Sequence, residues 1–272
     1  MTSPLAELYG RCEACQPICP ICRSSALSGI LGAVTTELPR LLCFPHAGAS
    51  ALAYARWRRE LAPVLDVRVL ELPGRLGRHA EPLALTMPEV LDSLATQVDA
   101  LATENCLLYG HSLGALVAFE FARRLAAAGR APARLVVSGR NGPTRTSPYP
   151  TVHTLPSEEL LAAVQAMDTG QPGLADEPEL VDLFLPVLRA DLRVAETYAY
   201  SPAASALPCP ILSWQGEDDP LVSRDGVQAW ELETSASCTI AWLPGQHFFH
   251  LNRPEFLVEL ARAVTRQPAR RG

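Results

Sequence analysis

Three side chains that together can make a serine nucleophile occur at positions that suit this chemistry. Ser112 stands in the motif Gly110-His-Ser-Leu-Gly114, after an apolar run and before a helical pattern. A serine hydroxyl becomes nucleophilic when an imidazole takes its proton and a carboxylate holds that imidazole in the correct tautomer. Asp219 and His247 follow Ser112 in the chain, each in a loop directly after an apolar run. The order Ser112, Asp219, His247 therefore predicts a catalytic triad at the ends of sheet strands.

Two of these assignments required a choice between neighbouring residues. Asp218 and Asp219 are adjacent, and we favour Asp219 because it stands at the third place after Gly216, the usual position of the acid in this type of loop. Asp218 is then a turn or capping residue. His250 lies three residues beyond His247, which we favour because it follows a Pro-Gly turn almost directly. We expect His250 to pack in the interior or to cap the next helix.

A tetrahedral oxyanion requires two preorganised N–H donors. The amide of Leu113, at the start of the helix that follows Ser112, is the first candidate. The second should come from the loop after the first core strand, Phe44-Pro-His-Ala-Gly-Ala-Ser50, in which we predict Ala47 as the donor. The alternative interpretation of this loop is an ordinary glycine turn.

Short apolar runs alternate with longer helical patterns from Arg40 onward, which predicts an α/β fold with a mostly parallel sheet flanked by helices. The predicted strands are Arg40–Phe44, Val67–Leu70, Cys106–Tyr109, Leu135–Ser138, Pro210–Trp214 and Thr239–Trp242. The predicted helices are Ala51–Leu61, Pro88–Ala102, Leu113–Ala128, Arg224–Leu232 and Pro254–Thr265. Gly129 provides a helix stop after the third of these.

Two segments depart from this alternation. Residues from about 145 to 207 carry helical patterns at Ser157–Met167 and Pro178–Tyr198, and we predict an inserted helical lid there. The first 39 residues show no convincing periodicity, so 1–39 is predicted to be a flexible extension and 40–272 the folded domain.

Composition excludes several classes of function. The chain has 272 residues, 48% hydrophobic, with a net charge of −6, and its basic residues are spread out, so no nucleic-acid footprint is present. All 23 basic residues are arginine, which excludes a Schiff-base lysine, a P-loop lysine and a Ser–Lys dyad. No apolar run reaches the roughly 18 residues of a membrane span, and no secretory signal is evident. We therefore expect a cytoplasmic protein.

Six motifs make the chain resemble the type II (editing) thioesterases of polyketide and nonribosomal peptide assembly lines, which have the α/β-hydrolase fold. The resemblance covers about Arg40 to Val264 and depends on Cys43-Phe-Pro-His-Ala-Gly48, Glu71-Leu-Pro-Gly-Arg75, Gly110-His-Ser-Leu-Gly-Ala115, Ser138-Gly-Arg140, Asp219-Pro-Leu-Val222 and Gly245-Gln-His-Phe-Phe249. The resemblance implies Ser112 as nucleophile, His247 as base, Asp219 as its partner, and the amides of Ala47 and Leu113 as the oxyanion hole. The chain departs from the family pattern at Ala49 and Gln246, where glycines are usual.

The same resemblance implies a substrate and a partner. The substrate is an acyl group in thioester linkage to the phosphopantetheine arm of an acyl or peptidyl carrier protein, and hydrolysis would clear stalled or mis-primed carriers. No metal or cofactor, no nucleic acid and no membrane is expected, and we expect a monomer. Two alternatives stay open, namely an ester hydrolase or acyltransferase of the same fold, and a catalytically idle carrier-binding protein.

Two further groups of residues admit two interpretations each. Cys12, Cys15, Cys19 and Cys22 have the spacing CxxC-x3-CxxC, which could bind zinc or an iron–sulfur cluster. The three residues between the pairs are too few for a zinc ribbon, so we predict reduced thiols instead. Two arginines of the family motifs, Arg75 and Arg140, and the nearby Arg78 could bind an acidic carrier protein and the phosphate of its phosphopantetheine arm. They could equally be structural.

Overall fold

The central sheet is formed by six parallel strands in the part of the chain that the structure describes. This computed structural model describes residues 38–103, 106–167, 178–202, 205–251 and 254–265. The strands are β1 (Arg40–Phe44), β2 (Asp66–Val69), β3 (Leu107–His111), β4 (Arg134–Ser138), β5 (Ile211–Gly216) and β6 (Cys238–Leu243). The helices are α1 (Ala55–Leu61), α2 (Met87–Leu101), α3 (Leu113–Ala127), α4 (Ser157–Met167), α5 (Pro178–Thr197), α6 (Arg224–Gln228) and α7 (Pro254–Thr265).

The strand order contains a switch point between β1 and β3. Across the sheet the order is β2-β1-β3-β4-β5-β6, with Phe44 of β1 beside Gly110 of β3. The chain leaves β1 toward β2 on one side and leaves β3 toward β4 on the other, so the loops after β1 and β3 diverge. Such a switch point at the carboxyl ends of parallel strands is where α/β proteins bind ligands.

Alternate residues of the strands enter two hydrophobic clusters, one on each face of the sheet. Leu42 and Phe44 of β1 pack with α2 and α3, whereas Leu41 and Cys43 pack with α1 and α7. Both faces are therefore covered, which explains why the strands are nearly continuous apolar runs. The predicted α/β architecture is confirmed.

The predicted elements agree with the structure except at several ends. Strand β3 begins one residue later and ends two residues later than predicted, and β2 is shifted by one residue. The predicted helix Ala51–Leu61 begins as a 3₁₀ turn over Ala51–Tyr54, where the Ser50 hydroxyl accepts a hydrogen bond from the Leu52 amide. The predicted helix Arg224–Leu232 divides into α6 and a 3₁₀ segment, Ala229–Glu233. Gly129, with φ +72°, ends α3 as predicted.

Four cysteines lie in the described residues and are free thiols: Cys43, Cys106, Cys209 and Cys238. Burial raises the pKa of each, to about 11 for Cys209 and Cys238, so they are neutral thiols at physiological pH. The other four, which carry the CxxC spacing, lie outside the described residues. Among the described helices, none combines the length and apolar character needed to cross a membrane.

Candidate active site

Ser112 occupies a sharp turn between β3 and α3. Its backbone has φ 55° and ψ −115°, a left-handed conformation that costs a non-glycine residue about 1–3 kcal/mol. The flanking glycines are required sterically, because a Cβ on Gly110 would lie 2.0 Å from the Gly114 carbonyl oxygen and a Cβ on Gly114 would lie 2.0 Å from that of Phe44. The turn holds the half-buried Ser112 side chain at the carboxyl edge of the sheet.

Asp219 and His247 form a buried pair on the loops after β5 and β6. The Nδ1 atom of His247 lies 2.8 Å from Oδ2 of Asp219, and the other carboxylate oxygen accepts the Leu221 amide at 2.9 Å. Both side chains are almost fully buried, whereas Asp218 is exposed. The carboxylate can thus accept the Nδ1 proton of the imidazole, which leaves the Nε2 lone pair to act as a base.

The loops that carry this pair are in close backbone contact. The Asp218 amide donates to the Gly245 carbonyl at 3.0 Å. A Cβ on Gly216 would lie 2.5 Å from the carbonyl oxygen of Gln246, so the glycine is what lets the two loops approach. With Gln246 in place of the family's usual glycine, the imidazole of His247 still contacts the Asp219 carboxylate at 2.8 Å.

The structure brings the His–Asp pair close to the serine turn without a hydrogen bond between them. The ring of His111, the residue before Ser112, lies 4.7 Å from that of His247, centroid to centroid. Within the described residues, no bond joins Ser112 Oγ to His247 Nε2. Catalytic hydrogen bonds of this kind are often long until substrate is bound.

The two predicted oxyanion donors come from the loops on either side of the switch point. Leu113 is the first residue of α3, and Ala47 follows β1 by three residues. The Gly114 contact with Phe44 described above packs the first turn of α3 against the start of the Ala47 loop. Neither the Ala47 nor the Leu113 amide donates a hydrogen bond to another group among the described residues, so both can serve a substrate oxygen.

Comparison with known proteins supports the same interpretation. A family model described as the thioesterase domain matches residues 39–267. The chain belongs to the thioesterase family. Its resemblance to type II thioesterases, predicted from the motifs, is confirmed, and the protein is a thioester hydrolase.

Two curated relatives of this thioesterase come from Streptomyces species. It is 36% identical over 212 residues to the thioesterase PikA5 of Streptomyces venezuelae, covering 77% of this chain and 75% of that protein. It is 35% identical over 228 residues to a probable cadicidin biosynthesis thioesterase of Streptomyces griseus. That match covers 83% of this chain but only 62% of the Streptomyces griseus protein.

Solved structures share the α/β-hydrolase fold of this thioesterase. The type II thioesterase BorB from the borrelidin biosynthetic cluster is 38% identical, with a TM-score of 0.78 over 85% of this chain and 94% of that one. RedJ, a thioesterase from the prodiginine pathway in Streptomyces coelicolor, is 32% identical, with a TM-score of 0.73 over 91% and 96% of the two chains.

Three histidines lie beside the active site of the thioesterase: His46, His111 and His250. None of them was assigned a role in the site from the sequence. All are buried, and the ring of His250 lies 3.9 Å from that of His111, centroid to centroid. Burial lowers the pKa of His46 to about 3, helped by the nearby His247 and Arg75, and it lowers those of His111 and His250 well below the usual value. All three rings are therefore neutral at pH 7. Their proximity to Ala47, Ser112 and His247 in the sequence was the available signal.

The three arginines considered for carrier binding all have partners within the chain. Arg75 is 8% exposed and its guanidinium pairs with the carboxylate of Asp191 on α5. Arg78 donates to the Glu71 carbonyl at 2.7 Å, and Arg140 to the Ala195 carbonyl at 3.1 Å. Burial lowers the pKa of Arg140 to about 10, so it remains charged. The structural interpretation holds for Arg75, whose guanidinium is not available to a docking partner.

Proposed function

We propose that Ser112, His247 and Asp219 are the catalytic triad of an editing thioesterase that releases acyl groups from carrier proteins. The observation that carries the proposal is the buried 2.8 Å contact between His247 Nδ1 and Asp219 Oδ2, on loops that bring the imidazole next to the strained Ser112 turn. An imidazole that is oriented by a buried carboxylate and lies beside a serine turn is the arrangement expected of a nucleophile and its base.

The first half of the reaction forms an acyl-enzyme. His247 Nε2 removes the hydroxyl proton as Ser112 Oγ attacks the thioester carbonyl carbon, and Asp219 stabilises the imidazolium. The negative charge that forms on the carbonyl oxygen is stabilised by the Ala47 and Leu113 amides. The carbon–sulfur bond then breaks, the thiol of the phosphopantetheine arm leaves with the proton from His247, and the acyl group remains on Ser112.

The second half of the reaction hydrolyses that ester. His247, again neutral, takes a proton from a water molecule as its oxygen attacks the acyl carbon. The second tetrahedral intermediate uses the same two amides and collapses with return of the proton to Ser112 Oγ. The product is a free carboxylic acid, and each step is completed by side chains and amides of this chain.

Carrier proteins of polyketide and nonribosomal peptide assembly lines are the partners we infer. BorB is described as a type II thioesterase from the borrelidin biosynthetic cluster. It is 38% identical to this chain over most of both chains, which supports a type II thioesterase role for this protein. The residues from about 145 to 207 are proposed as a lid. Helices α4 and α5 in this insertion share an apolar cluster of their own, which includes Val152, Leu160 and Leu185.

The proposal also concerns the organisation of the chain. We assign residues 40–272 to the catalytic domain and 1–39 to an extension outside it, because all proposed site residues lie between Ala47 and His247. We further propose a cytoplasmic enzyme, as the sequence led us to expect. We also propose that it acts as a monomer, because one chain supplies all the proposed site residues. Light scattering coupled to gel filtration at working concentration tests the last point, and a dimer would contradict it.

Substrate comparison tests the proposed function. Steady-state rates should be measured with a panel of acylated carriers, the matching acyl-CoA thioesters and p-nitrophenyl esters, and intact-protein mass spectrometry should follow loss of the acyl mass from the carrier. We expect the highest kcat/KM for acylated carriers. Preference for the p-nitrophenyl esters would favour an ester hydrolase. Transfer of the acyl group to an added alcohol or amine would favour an acyltransferase, and inactivity toward every substrate would favour a catalytically idle binding protein.

A further inference from the structure

A buried ion pair connects α5 to the loop that carries Ala47. Arg75 Nη1 and Nη2 donate to the two oxygens of Asp191 at 2.8 and 2.9 Å, and both side chains are less than a tenth exposed. Arg75 belongs to the loop after β2, and Asp191 lies on α5 in the insertion between β4 and β5. The planar guanidinium of Arg75 and the planar carboxylate of Asp191 thus form a bidentate pair between distant parts of the chain.

This pair also holds the backbone of the loop directly. The Gly48 amide donates to Asp191 Oδ2 at 2.8 Å, and the Ala49 carbonyl accepts from Arg75 Nη1 at 2.8 Å. One carboxylate oxygen therefore receives both a guanidinium N–H and a loop amide. An ion pair that only attached α5 to the sheet would not need these two backbone contacts.

The hydrogen bonds of this loop fix the direction of the Ala47 amide. The Ala49 amide donates to the His46 carbonyl at 3.0 Å, which turns that carbonyl into the loop. In a trans peptide the N–H points opposite to the C=O of the same unit, so the Ala47 N–H points away from the loop interior. The bonds at Gly48 and Ala49 hold the two following peptide units, and they leave the Ala47 unit little freedom to rotate.

Close packing of α5 on the loop supports the same connection. A Cβ added to Gly48, which has φ +77°, would lie 2.5 Å from the ring of Phe184 and 3.2 Å from Leu188. Both of these side chains are on α5, where Phe184 lies about two turns and Leu188 about one turn before Asp191. The loop is therefore shaped to receive the face of α5 that carries the carboxylate.

We propose that Asp191, oriented by Arg75, is a positioning residue that aims the Ala47 amide at the substrate oxyanion. The oxyanion site is then complete only while α5 is seated on the loop, so the insertion takes part in catalysis as well as in covering the site. This inference rests on the proposed function, because it takes Ala47 as an oxyanion donor.

A double substitution tests this role while preserving the fold. Arg75→Met with Asp191→Leu removes both charges at similar volume, which buried ion pairs often tolerate, but leaves the Gly48 amide without its acceptor. Misplacing a catalytic group by about 1 Å costs on the order of 100-fold, so we expect kcat to fall about 10- to 100-fold, with KM within about threefold. An acyl trifluoromethyl ketone, whose adduct with Ser112 bears an oxyanion, should lose affinity by a similar factor.

Asp191→Asn separates positioning from stability. Its amide oxygen can still accept the Gly48 N–H, so its kcat should exceed that of the double variant. Its Tm should be lower than that of the double variant, because Arg75 keeps a buried charge without a partner. If Asp191 only stabilised the fold, kcat and Tm would follow the same order, which would overturn the inference.

Arg189→Met is the matched control on the same helix. Arg189 donates to the carbonyls of His153 and Leu155, both at 2.6 Å, and so attaches α5 to the insertion without touching the Ala47 loop. We expect its kcat to stay within about threefold of wild type. Two results would contradict the positioning role of Asp191 and leave the proposed function standing. One is an equal loss of kcat in Arg189→Met, and the other is a folded double variant with wild-type kcat on an N-acetylcysteamine thioester. A wild-type enzyme that hydrolyses no thioester would contradict the proposed function as well.

Discussion

His247 and Asp219 contact each other through one short hydrogen bond, 2.8 Å between Nδ1 and Oδ2, although 28 residues separate them in the chain. The neighbouring carboxylate of Asp218 is exposed to solvent. Only one of two adjacent carboxylates can therefore orient the imidazole, and the structure gives that position to Asp219.

Asp219→Asn should cripple the enzyme and Asp218→Asn should leave it nearly unchanged. The amide of the first variant cannot hold the required tautomer of His247, and loss of such an acid lowers kcat by about 10⁴-fold. Steady-state kinetics on one acylated carrier, with circular dichroism to verify folding, compares the two matched variants. The reverse order of severity would show that Asp219 is not the acid.

Gly114→Ala should inactivate the thioesterase, although alanine normally stabilises a helix by about 1 kcal/mol relative to glycine. The added Cβ would lie 2.0 Å from the Phe44 carbonyl oxygen, which is backbone and cannot swing aside. The start of α3 would have to move away from β1, and the Ser112 turn would move with it. Gly77→Ala is the control, because nothing lies within 4 Å of a Cβ at that glycine. Equal kcat in the two variants would argue against this close approach.

Much of this site was predictable because strand ends and turn motifs are local features of sequence. The order of Ser112, Asp219 and His247, together with the glycines around the serine, indicated their common position at the sheet edge. The choice of Asp219 over Asp218 used only loop spacing, and the structure places Asp219 against the imidazole.

Other features depend on contacts between distant segments and left little signal. Arg75 and Asp191 are 116 residues apart, and Asp191 lies in a helical pattern that predicts only an amphipathic helix. The rings of His111 and His250 are in contact because β3 and the loop after β6 meet in space, which spacing along the chain does not reveal. The α-helical ends moved by four residues where a 3₁₀ segment replaced the start of the predicted helix Ala51–Leu61 and the end of the predicted helix Arg224–Leu232.

Acid should destabilise the folded thioesterase through its buried histidines. Because the folded-state pKa of His46 is lowered to about 3, the unfolded chain binds more protons at pH values below its own pKa, about 6.5. This contribution to stability is complete above about pH 6.5 and is lost as the pH falls toward 3. The lowered pKa values of His111 and His250 act in the same direction.

His250→Phe should make the acid sensitivity weaker. The ring of His250 has two buried nitrogens without a hydrogen-bond partner among the described residues, and it packs against other aromatic rings. Urea unfolding at pH 7 and pH 5 should show a smaller loss of stability in the variant, by up to about 1.4 kcal/mol for each pH unit. His79→Gln, at an exposed histidine, is the control. An unchanged pH dependence in His250→Phe would count against the neutral buried cluster.

Deletion of residues 1–35 should leave thioesterase activity within a few-fold of the full chain. The proposed site residues all lie beyond the deleted segment, and the first strand begins at Arg40. Elemental analysis of protein purified without chelator should find well under one equivalent of zinc or iron. Stoichiometric metal that is lost on truncation, with a matching drop in carrier turnover, would instead assign a metal site to the four cysteines of the extension.

Transfer of the acyl group from a carrier thioester to Ser112 is the step from which the rest of the mechanism follows. Rapid acid quenching of the enzyme with an acylated carrier, followed by peptide mass spectrometry, measures this transfer directly. We predict an acyl adduct on the peptide that contains Ser112, and no adduct with folded Ser112→Ala, whose kcat should be lower by about 10⁴- to 10⁶-fold. An adduct on a different residue, or a folded Ser112→Ala variant that retains more than about a tenth of the wild-type rate, would contradict the proposed nucleophile.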